Sequence, residues 1–517
     1  MRVLHRVTRL MGGFLGDEAS FNDRLGDASD GDYIRMPNGL YCLNGPIIWP
    51  QGLDNATLDL NGSVLKIAVS EAATTVSGNH APGVTDVTLA DASDFSVGDW
   101  ILLGINQYSD LRQIGNIVGN VVTLTLATNF TQNNSYPVRR QFPAISVGYH
   151  AWAGTATVIT EGAAIKNGTI RWDVPTTEQS FWVGGLSFIR SRGHSADNIK
   201  IYNSPAEGIT DQTYLGAANP VNASYANIHT EGCNARGIHV GSGWLNGSIT
   251  NATIKDCTIA GIYLCDNCNN GVYTDIEISG CGMGIEGMAG SNGSASDSNN
   301  TFTRVNIHDN VGVGVDGVHA AFIATGNRFE HCQIWNNGGH GFELEYQDSF
   351  ELFNCLIFDN TGAAVSIDAN STTAIDVESC SISKNDAGGV ISANLGITNV
   401  KDCIIRGNGV AEVTAGCNVT YSNIEGGYAG TGNINSNPGW TTGPTGWAYY
   451  MPGGNNSEDA GSALASALGL DEMTTRTDDA LDGDTVDMGC HFTPVTSRGV
   501  RSLQFTNSAN SMYLGGV

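Results

Sequence analysis

Residues Cys332–Asn337 read Cys-Gln-Ile-Trp-Asn-Asn, and the pattern Cys-x-Ile-x-x-Asn returns three times farther along the chain. The further copies are Cys355–Asn360, Cys380–Asn385 and Cys403–Asn408, at spacings of 23, 25 and 23 residues. Degenerate copies lie upstream at Ala252–Cys257, Ile276–Cys281 and Val305–Asn310. Most copies are followed by a small residue and then an aliphatic or aromatic one, as in Gly341-Phe342. The chain therefore contains internal repeats of about 24 residues.

A period of this length, with short alternating strands in each repeat, is typical of one coil of a β-helix. A single coil cannot bury its apolar residues, so successive coils stack into a continuous core. Strands of neighbouring coils then pair in parallel, about 4.8 Å apart. A leucine-rich repeat has a similar period, but its Leu-rich consensus is absent. We predict an all-β fold, a single-stranded right-handed parallel β-helix with a small β insertion and a C-terminal cap.

The composition of the 517-residue chain argues against several functional classes. Its formal net charge is −27, whereas a nucleic-acid-binding protein needs a basic surface. No apolar run approaches the ~18 residues of a transmembrane helix, so we expect no membrane insertion. Residues 1–15 include basic residues but lack the apolar run of a signal peptide. Either the protein leaves the cell by another route or a signal was removed.

The cysteines and asparagines of the repeats predict two internal ladders. Cys332, Cys355, Cys380 and Cys403 begin equivalent strands, whereas Cys233, Cys257 and Cys281 fall where later coils carry Asn. Stacked free thiols act as small apolar residues, and a disulfide framework is not expected in a chain of this size. The pair Cys265 and Cys268 lacks a second pair at zinc spacing. We expect free thiols, and Asn amides bonded from coil to coil.

Two early segments carry a family resemblance. The sequences GDYIRMPNGLY at 31–41 and IIWPQGLDNATLDLNGSVLK at 47–66 resemble the first coils of pectate-lyase-like β-helix proteins, which include phage tailspikes and polysaccharide lyases. Segments 419–438 and 473–489 resemble the last coils of bacterial and viral β-helix proteins. Residues 501–514 resemble the first strand of a lectin-like jelly roll of phage structural proteins. The resemblance implies this fold and a polysaccharide partner.

We therefore divide the chain into five parts. Residues 1–30 form an N-terminal cap and lead-in, and residues 31–77 form the first coils. Residues 78–147 break the period with alternating segments typical of antiparallel strands, which we interpret as a β insertion. Residues 148–435 form the main β-helix, and residues 436–517 form the C-terminal cap and a terminal β segment.

The residue after each Gly-Ile-like pair predicts a surface column. Because side chains alternate along a strand, the apolar residue points inward and the next residue points outward. The predicted column is Thr210, His239, Tyr263, Glu286, Asp316, Glu343, Ser366 and Ile391. Glu345 and Asp368 lie two residues farther along the same face. We predict Glu286, Asp316 and Glu343 as catalytic residues and His239, Tyr263, Glu345 and Asp368 as substrate-binding residues.

Stacked carboxylates have a chemical interpretation and two alternatives. Carboxylates one coil apart would be roughly 5 Å apart and those two coils apart roughly 9–10 Å, close to the separations in retaining and inverting glycosidases. Tailspike glycosidases are similar in projecting acids from neighbouring coils on one face. The alternatives are a solvated acidic ladder and a structural calcium site. We expect no other cofactor.

Other candidates are weaker. A lyase needs a base and a cation for the uronate carboxylate, which His239, Tyr263, Arg236, Lys255 and Arg190 could supply, but no stacked run of cations exists. Galacturonan hydrolases show Asn-Thr-Asp, Asp-Asp and Gly-His-Gly motifs. Only Gly-His-Gly at 339–341 matches within the coils, so we interpret His340 as a turn residue. Asp482, Asp484 and Asp487 have calcium-like spacing without the full loop pattern.

Three functions follow from these observations. The first is a virion tailspike-like protein that binds and hydrolyses a cell-surface polysaccharide as a homotrimer, alongside other virion proteins. The second is a non-catalytic virion or receptor-binding rod. The third is a secreted bacterial polysaccharide lyase or hydrolase. The missing signal favours a virion location over secretion, and the acidic column favours the first and third functions.

Overall fold

Stacked parallel strands form most of the chain. The computed structural model describes residues 18–67, 69, 72–104, 110–148, 159–173, 184–212, 221–241, 243–265, 267–287, 297–317, 323–371, 373–394 and 396–495. Within these residues two large parallel sheets run the length of the stack. No helix in the described part of the chain is long and apolar enough to cross a membrane. The segment that resembles a jelly-roll strand, 501–514, lies outside the described residues.

One of the two parallel sheets, called the site sheet, has eleven strands. One strand comes from each coil, and consecutive strands pair in parallel from coil to coil. Its strands are Ile47–Ile48, Ile145–Val147, Leu186–Ile189, Ile209–Gln212, Arg236–Val240, Ala260–Leu264, Met283–Glu286, Val315–Gly317, Phe342–Leu344, Ala363–Ile367 and Gly388–Ser392.

The back sheet, of nineteen strands, forms the rest of each coil. Early coils contribute one long strand and later coils two short ones, because strand Thr301–His308 pairs with both Arg328–Glu330 and Gln333–Trp335. The strands are Tyr33–Arg35, Leu40–Leu43, Thr57–Ile67, Ala164–Trp172, Ser195–Tyr202, Ser224–Glu231, Ser248–Lys255, Val272–Ser279, Thr301–His308, Arg328–Glu330, Gln333–Trp335, Phe350–Phe353, Leu356–Phe358, Ile375–Glu378, Ser381–Ser383, Thr398–Lys401, Ile404–Arg406, Asn418–Thr420 and Asn423–Ile424.

A left-handed backbone residue bends the back sheet once per coil. The pairing skips this residue, as it skips Asn198 and Asn227 between strands Ser195–Tyr202 and Ser224–Glu231. Its φ lies between 47° and 60° at Asn167, Asn198, Asn227, Asn251, Asp275, Arg304, His331, Asn354, Ser379, Asp402 and Tyr421. Asn and Asp tolerate this conformation best. The row of corners divides the back sheet into two faces, which gives each coil three sides.

The core consists of side-chain ladders that continue from coil to coil. Tyr273, Phe302 and Phe329 stack with ring centroids 4.4 and 4.2 Å apart and are fully buried. A second ladder consists of cysteines. The backbone N–H groups of Cys355 and Cys380 each donate to the thiol of the equivalent cysteine in the next coil, 3.4 Å away. All twelve cysteines are free, as the repeats predict.

The Asn ladder closes one corner of the coils. Asn310, Asn337, Asn360 and Asn385 each donate from Nδ2 to Oδ1 of the next Asn at 2.9 Å. The Cys281 N–H donates to Asn310 Oδ1, which places the earlier Cys series in the same row. The predicted coil-to-coil amide bonding is confirmed.

Elements outside the stack cover its ends and one side. Helix Glu18–Gly26 inserts Phe21 and Leu25 into the first coils. An antiparallel sheet with its own core branches out between the first two coils, and its strands are Ala73–Thr75, Asp86–Thr88, Trp100–Leu103, Asp110–Val118, Val121–Leu124 and Pro137–Arg139. Strand Ile47–Ile48 still pairs directly with Ile145–Val147, so the stack continues past this sheet. Two small parallel pairs join Thr160–Glu161 to Ser191–Arg192 and Ala324–Thr325 to Gln347–Asp348.

The C-terminal segment packs along the back sheet rather than continuing the stack. It contains the short helix Ala465–Leu468. The rings of Trp447 and Tyr449 contact Phe358 at centroid distances of 5.9 and 4.9 Å. Asn354 Nδ2 donates to the His491 carbonyl at 3.0 Å. The segment therefore covers part of the back sheet in the later coils, over strands such as Leu356–Phe358 and Ile404–Arg406.

Candidate functional site

The predicted column lies in register on the site sheet. Pairing aligns Thr210 with His239, His239 with Tyr263, Tyr263 with Glu286, Asp316 with Glu343, Glu343 with Ser366, and Ser366 with Ile391. The Ile285–Val315 pair brings Glu286 next to Asp316 in the same row. Eight residues from eight coils thus form one continuous row, as the Gly-Ile-x pattern predicts.

The first half of the column is buried, which differs from the solvent-facing position that alternation predicts. Thr210 and His239 are at most 1% exposed, and Tyr263 is 7% exposed. Arg236, from the start of the same strand as His239, lies over the Tyr263 ring with 3.8 Å between Cζ and the centroid. The guanidinium covers the aromatic ring, so Tyr263 does not present an open stacking surface.

Arg236 connects two carboxylates in this buried half of the column. Its Nε and Nη2 donate to the two carboxylate oxygens of Glu286 at 2.7 and 3.0 Å. Nη1 lies 3.8 Å from Oε1 of the fully buried Glu207. Burial opposes the charged guanidinium, but the hydrogen bonds and charge of Glu286, with Glu207, raise the pKa of Arg236. Both oxygens of Glu286 are therefore occupied by a cation from the same protein.

His239 lies between Glu207 and Tyr263. Its Nδ1 is 3.4 Å from Glu207 Oε1, and its ring meets the Tyr263 ring edge-on at 4.8 Å. Burial favours the neutral imidazole, but hydrogen bonds with Cys265 and Glu207 raise the pKa of His239. Glu207 was not among the predicted residues. Its signal is its place directly before Gly208-Ile209, which Arg236 also occupies before Gly237-Ile238.

The second half of the column carries half-buried carboxyl groups. Asp316 and Glu343 are paired across adjacent coils. Glu345 and Asp368, two residues farther along, share one neighbour. Asn370 Nδ2 donates to Glu345 Oε1 at 3.1 Å and also to Asp368 Oδ2, and the Asn370 N–H donates to Asp368 Oδ1 at 2.9 Å. The acid pair, meaning Glu345 and Asp368, is thus held together by one amide side chain.

Glu345, in the acid pair, has a raised proton affinity. Partial burial, then the hydrogen bond and negative charge of Asp368, and also the charge of Glu343, raise the pKa of Glu345. Two carboxyl groups this close are most stable with one proton between them. These contacts therefore suit Glu345 to keep its proton to a higher pH than usual for a glutamic acid and to donate it.

Two sequence motifs lie away from the site sheet's strands. His340 lies in the turn before Phe342–Leu344, where its Nδ1 accepts from the Ala363 N–H at 2.8 Å. It acts as a turn residue. In the C-terminal segment, carboxylate oxygens of Asp459, Asp482 and Asp487 lie within 4.8 Å of one another. Such a group could hold a cation. It contains Asp459 instead of Asp484, which the sequence spacing suggested.

Comparison with known proteins identifies the fold. Residues 246–438 match the family model described as right handed beta helix region. No curated protein matches the chain. The A-module of mannuronan C-5 epimerase AlgE6 from Azotobacter vinelandii shares 12% identity over 81% of this chain and 94% of its own, with a TM-score of 0.51.

Two further solved structures cover similar shares of the chain at lower structural similarity. The Dettilon tailspike protein shares 12% identity over 82% of this chain and 69% of its own, with a TM-score of 0.42. The α-1,3-glucanase of Streptomyces thermodiastaticus shares 12% identity over 82% and 67%, with a TM-score of 0.35. At 12% identity, the match to the epimerase module bears on architecture and not on chemistry. The chain is a right-handed parallel β-helix protein, as its repeats and early segments predict.

Proposed function

We propose that this protein binds a cell-surface polysaccharide along the site sheet and hydrolyses it. The observation that carries the proposal is the acid pair Glu345 and Asp368, next to Asp316 and Glu343 on adjacent coils. Glycoside hydrolysis needs a protonated carboxyl group on one side of the scissile bond and an ionised carboxyl group on the other. In the proposed scheme, Glu345 is the protonated carboxyl group and Asp316, on the adjacent coil, is the ionised one.

The roles differ from those expected from sequence alone. Glu345, expected to bind substrate, donates its proton to the glycosidic oxygen. Asp316 lies one coil away and two residues back along the strand, roughly 8 Å from Glu345 by strand geometry. That separation, within the range of about 6.5–9.5 Å for an inverting enzyme, leaves room for a water molecule. Asp316 removes a proton from this water as it attacks the anomeric carbon, and the product is a new reducing end.

The remaining carboxylates have supporting roles. Asp368 is too close to Glu345 to act on the opposite side of the sugar, so it raises the pKa of the acid. Glu343 lies between the two reacting groups and binds sugar hydroxyls. Glu286 is held by Arg236 and has no catalytic role in this scheme. His239 and Tyr263 are buried and support Arg236 rather than contacting the glycan.

An elimination reaction fits the site less well. A lyase must neutralise the uronate carboxylate with a cation. Arg236 is the only Lys or Arg in the eleven strands, and its guanidinium already binds Glu286. Hydrolysis is therefore favoured over the lyase, and a purely binding rod is the outcome if no cleavage occurs.

Release of reducing ends from a panel of bacterial surface polysaccharides tests the proposal. We expect Glu345→Gln and Asp316→Asn each to lower the rate by about 10²–10⁴-fold or more in a folded protein. Glu161→Gln is the matched control, because Glu161 is exposed in a strand outside the site sheet, and its rate should equal that of the wild type. Cleavage that survives both site changes would refute this assignment.

The biological setting is a separate proposal. We infer that the protein is a tailspike-like component of a virion, outside the cell, and that it works as a homotrimer with other virion proteins. The resemblance of the early coils to tailspikes supports this setting. Light scattering should give three times the 54.3 kDa chain mass. A monomer would favour a secreted bacterial hydrolase with the same chemistry.

A further inference from the structure

We propose that the glycan is uncharged or carries amino groups where it meets the site sheet, and that polyanionic glycans are excluded. This inference rests on the proposed function, because it names the substrate class of the same site. It is carried by the distribution of charge over the three sides of the coils.

The strands of the site sheet offer an anionic sugar no cation that is not already paired with a carboxylate. Arg236 is the only lysine or arginine in its eleven strands. Both donors that face Glu286 are engaged at 2.7 and 3.0 Å, and Glu207 lies 3.8 Å from a third nitrogen. Two carboxylates thus surround one guanidinium, and the buried cluster as a whole is not positive.

From residue 237 onward, the cations of the main stack lie outside the site sheet. Between residues 237 and 475 the chain has six lysines and arginines, and each lies in the back sheet or its turns. Arg304 binds Asp275, Arg328 binds Glu330 and Glu351, Lys401 binds Glu378, and Arg406 lies near Glu425. Lys255 and Lys384 are the remaining two.

The carboxyl groups of the site sheet set the selectivity. Asp316, Glu343, Glu345 and Asp368 occupy three adjacent coils. A sugar carboxylate, phosphate or sulfate in contact with them would meet like charge without a counter-ion, which is unfavourable even at high dielectric. Neutral hydroxyls can donate to the same oxygens, and an ammonium group would be attracted. The face therefore selects against anions while keeping hydrogen-bonding capacity.

Paired glycans provide the test. Acidic bacterial capsules that contain uronic acid are compared with their carboxyl-reduced forms, which keep the sugar stereochemistry and lose the charge. Neutral and amino-sugar capsules complete the panel. Binding to the full-length protein is measured in EDTA, so that calcium cannot bridge carboxylates. We expect the tightest ligands to be neutral or amino-bearing, and carboxyl reduction to tighten binding about tenfold or more.

Each outcome separates the substrate class from the chemistry. A uronate capsule that binds best in EDTA, and loses binding on reduction, overturns the inference, even if Glu345→Gln shows that it is hydrolysed. A neutral capsule that is bound but never cut supports the inference and refutes hydrolysis. Absence of binding to every glycan overturns both.

Discussion

Arg236 and Glu345 occupy the same sheet, but their neighbours give them opposite roles. Arg236 lies between Glu286 and Glu207, and its charge neutralises these carboxylates rather than a ligand. Glu345 has no cation beside it in the site sheet and has Asp368 as a neighbour, so it retains a proton to higher pH than an ordinary glutamic acid. Residue type alone predicted three equivalent acids at 286, 316 and 343. The side-chain contacts that distinguish them depend on residues from other coils.

The pH dependence of hydrolysis follows from the raised pKa of Glu345. The protonated form is the active one, so the rate should fall as pH rises through this pKa. Asp368→Asn removes the like charge and lowers the pKa of Glu345, which should move the alkaline limb of the pH–rate profile to lower pH. Initial rates of reducing-end release measure the shift. Ser366→Ala, in the same strand, is the control, and an unmoved limb in Asp368→Asn would contradict the pairing.

Arg236 should matter for stability more than for chemistry. Arg236→Met leaves Glu207 and Glu286 without their counter-charge in a largely buried site, which should lower the free energy of unfolding by about 3–5 kcal/mol. The matched change Arg304→Met breaks an exposed pair with Asp275 and should cost under ~1 kcal/mol. Urea denaturation compares the two variants. Equal midpoints would show that the Arg236 cluster does not stabilise the fold.

At the scale of single elements, repetition made the strands predictable. The Gly-Ile-x and Cys-x-Ile-x-x-Asn patterns fix which residues face inward, because each coil repeats the same alternation. The left-handed corner residue of the back sheet was harder to predict from the sequence. Asn occupies it in five coils, but Arg304, His331 and Tyr421 occupy it in others. Stacking on neighbouring coils holds these residues in a backbone conformation that their own type does not favour.

The Asn ladder gives an element-scale prediction. Asn360 Nδ2 donates to Asn385 Oδ1 and the Ile334 carbonyl, and its Oδ1 accepts from Asn337. Asn360→Ala removes the acceptor of the buried Asn337 N–H and the amide donor to Asn385 Oδ1, which should cost about 2–4 kcal/mol. Asn399→Ala, at a half-buried strand position where the side chain donates to Asp376 and accepts from Asn418, should cost about 1 kcal/mol, because water can replace these partly exposed partners. Thermal or urea unfolding checks the difference, and similar losses would contradict the ladder's role.

On the scale of the whole molecule, the sequence predicted a stack with free thiols and a covered end. The path of the C-terminal segment along the back sheet could not be predicted. It depends on contacts such as Asn354 with His491 and Asp402 with Ser462, which join residues more than fifty positions apart without a repeat. This segment packs against the back sheet in the later coils, on a different side of the coils from the proposed binding surface.

The thiols provide a test of the stack as a whole. Eleven of the twelve cysteines are buried, Cys42 is half-buried, and all are free. A thiol reagent should therefore label at most about one cysteine in the folded protein and all twelve after unfolding without reductant. Fewer than twelve on unfolding would reveal a disulfide and contradict the internal thiol ladders.

The central claim is that a glycan lies along the site sheet with its scissile bond at Glu345. The most direct test is a crystal structure of Glu345→Gln with an oligosaccharide from the polysaccharide that the wild type cleaves. We expect sugar density along the strands from Met283–Glu286 to Ala363–Ile367, with a glycosidic oxygen within hydrogen-bond distance of residue 345. An oligosaccharide bound on the back sheet, or far from residues 316 and 345, would contradict the claim.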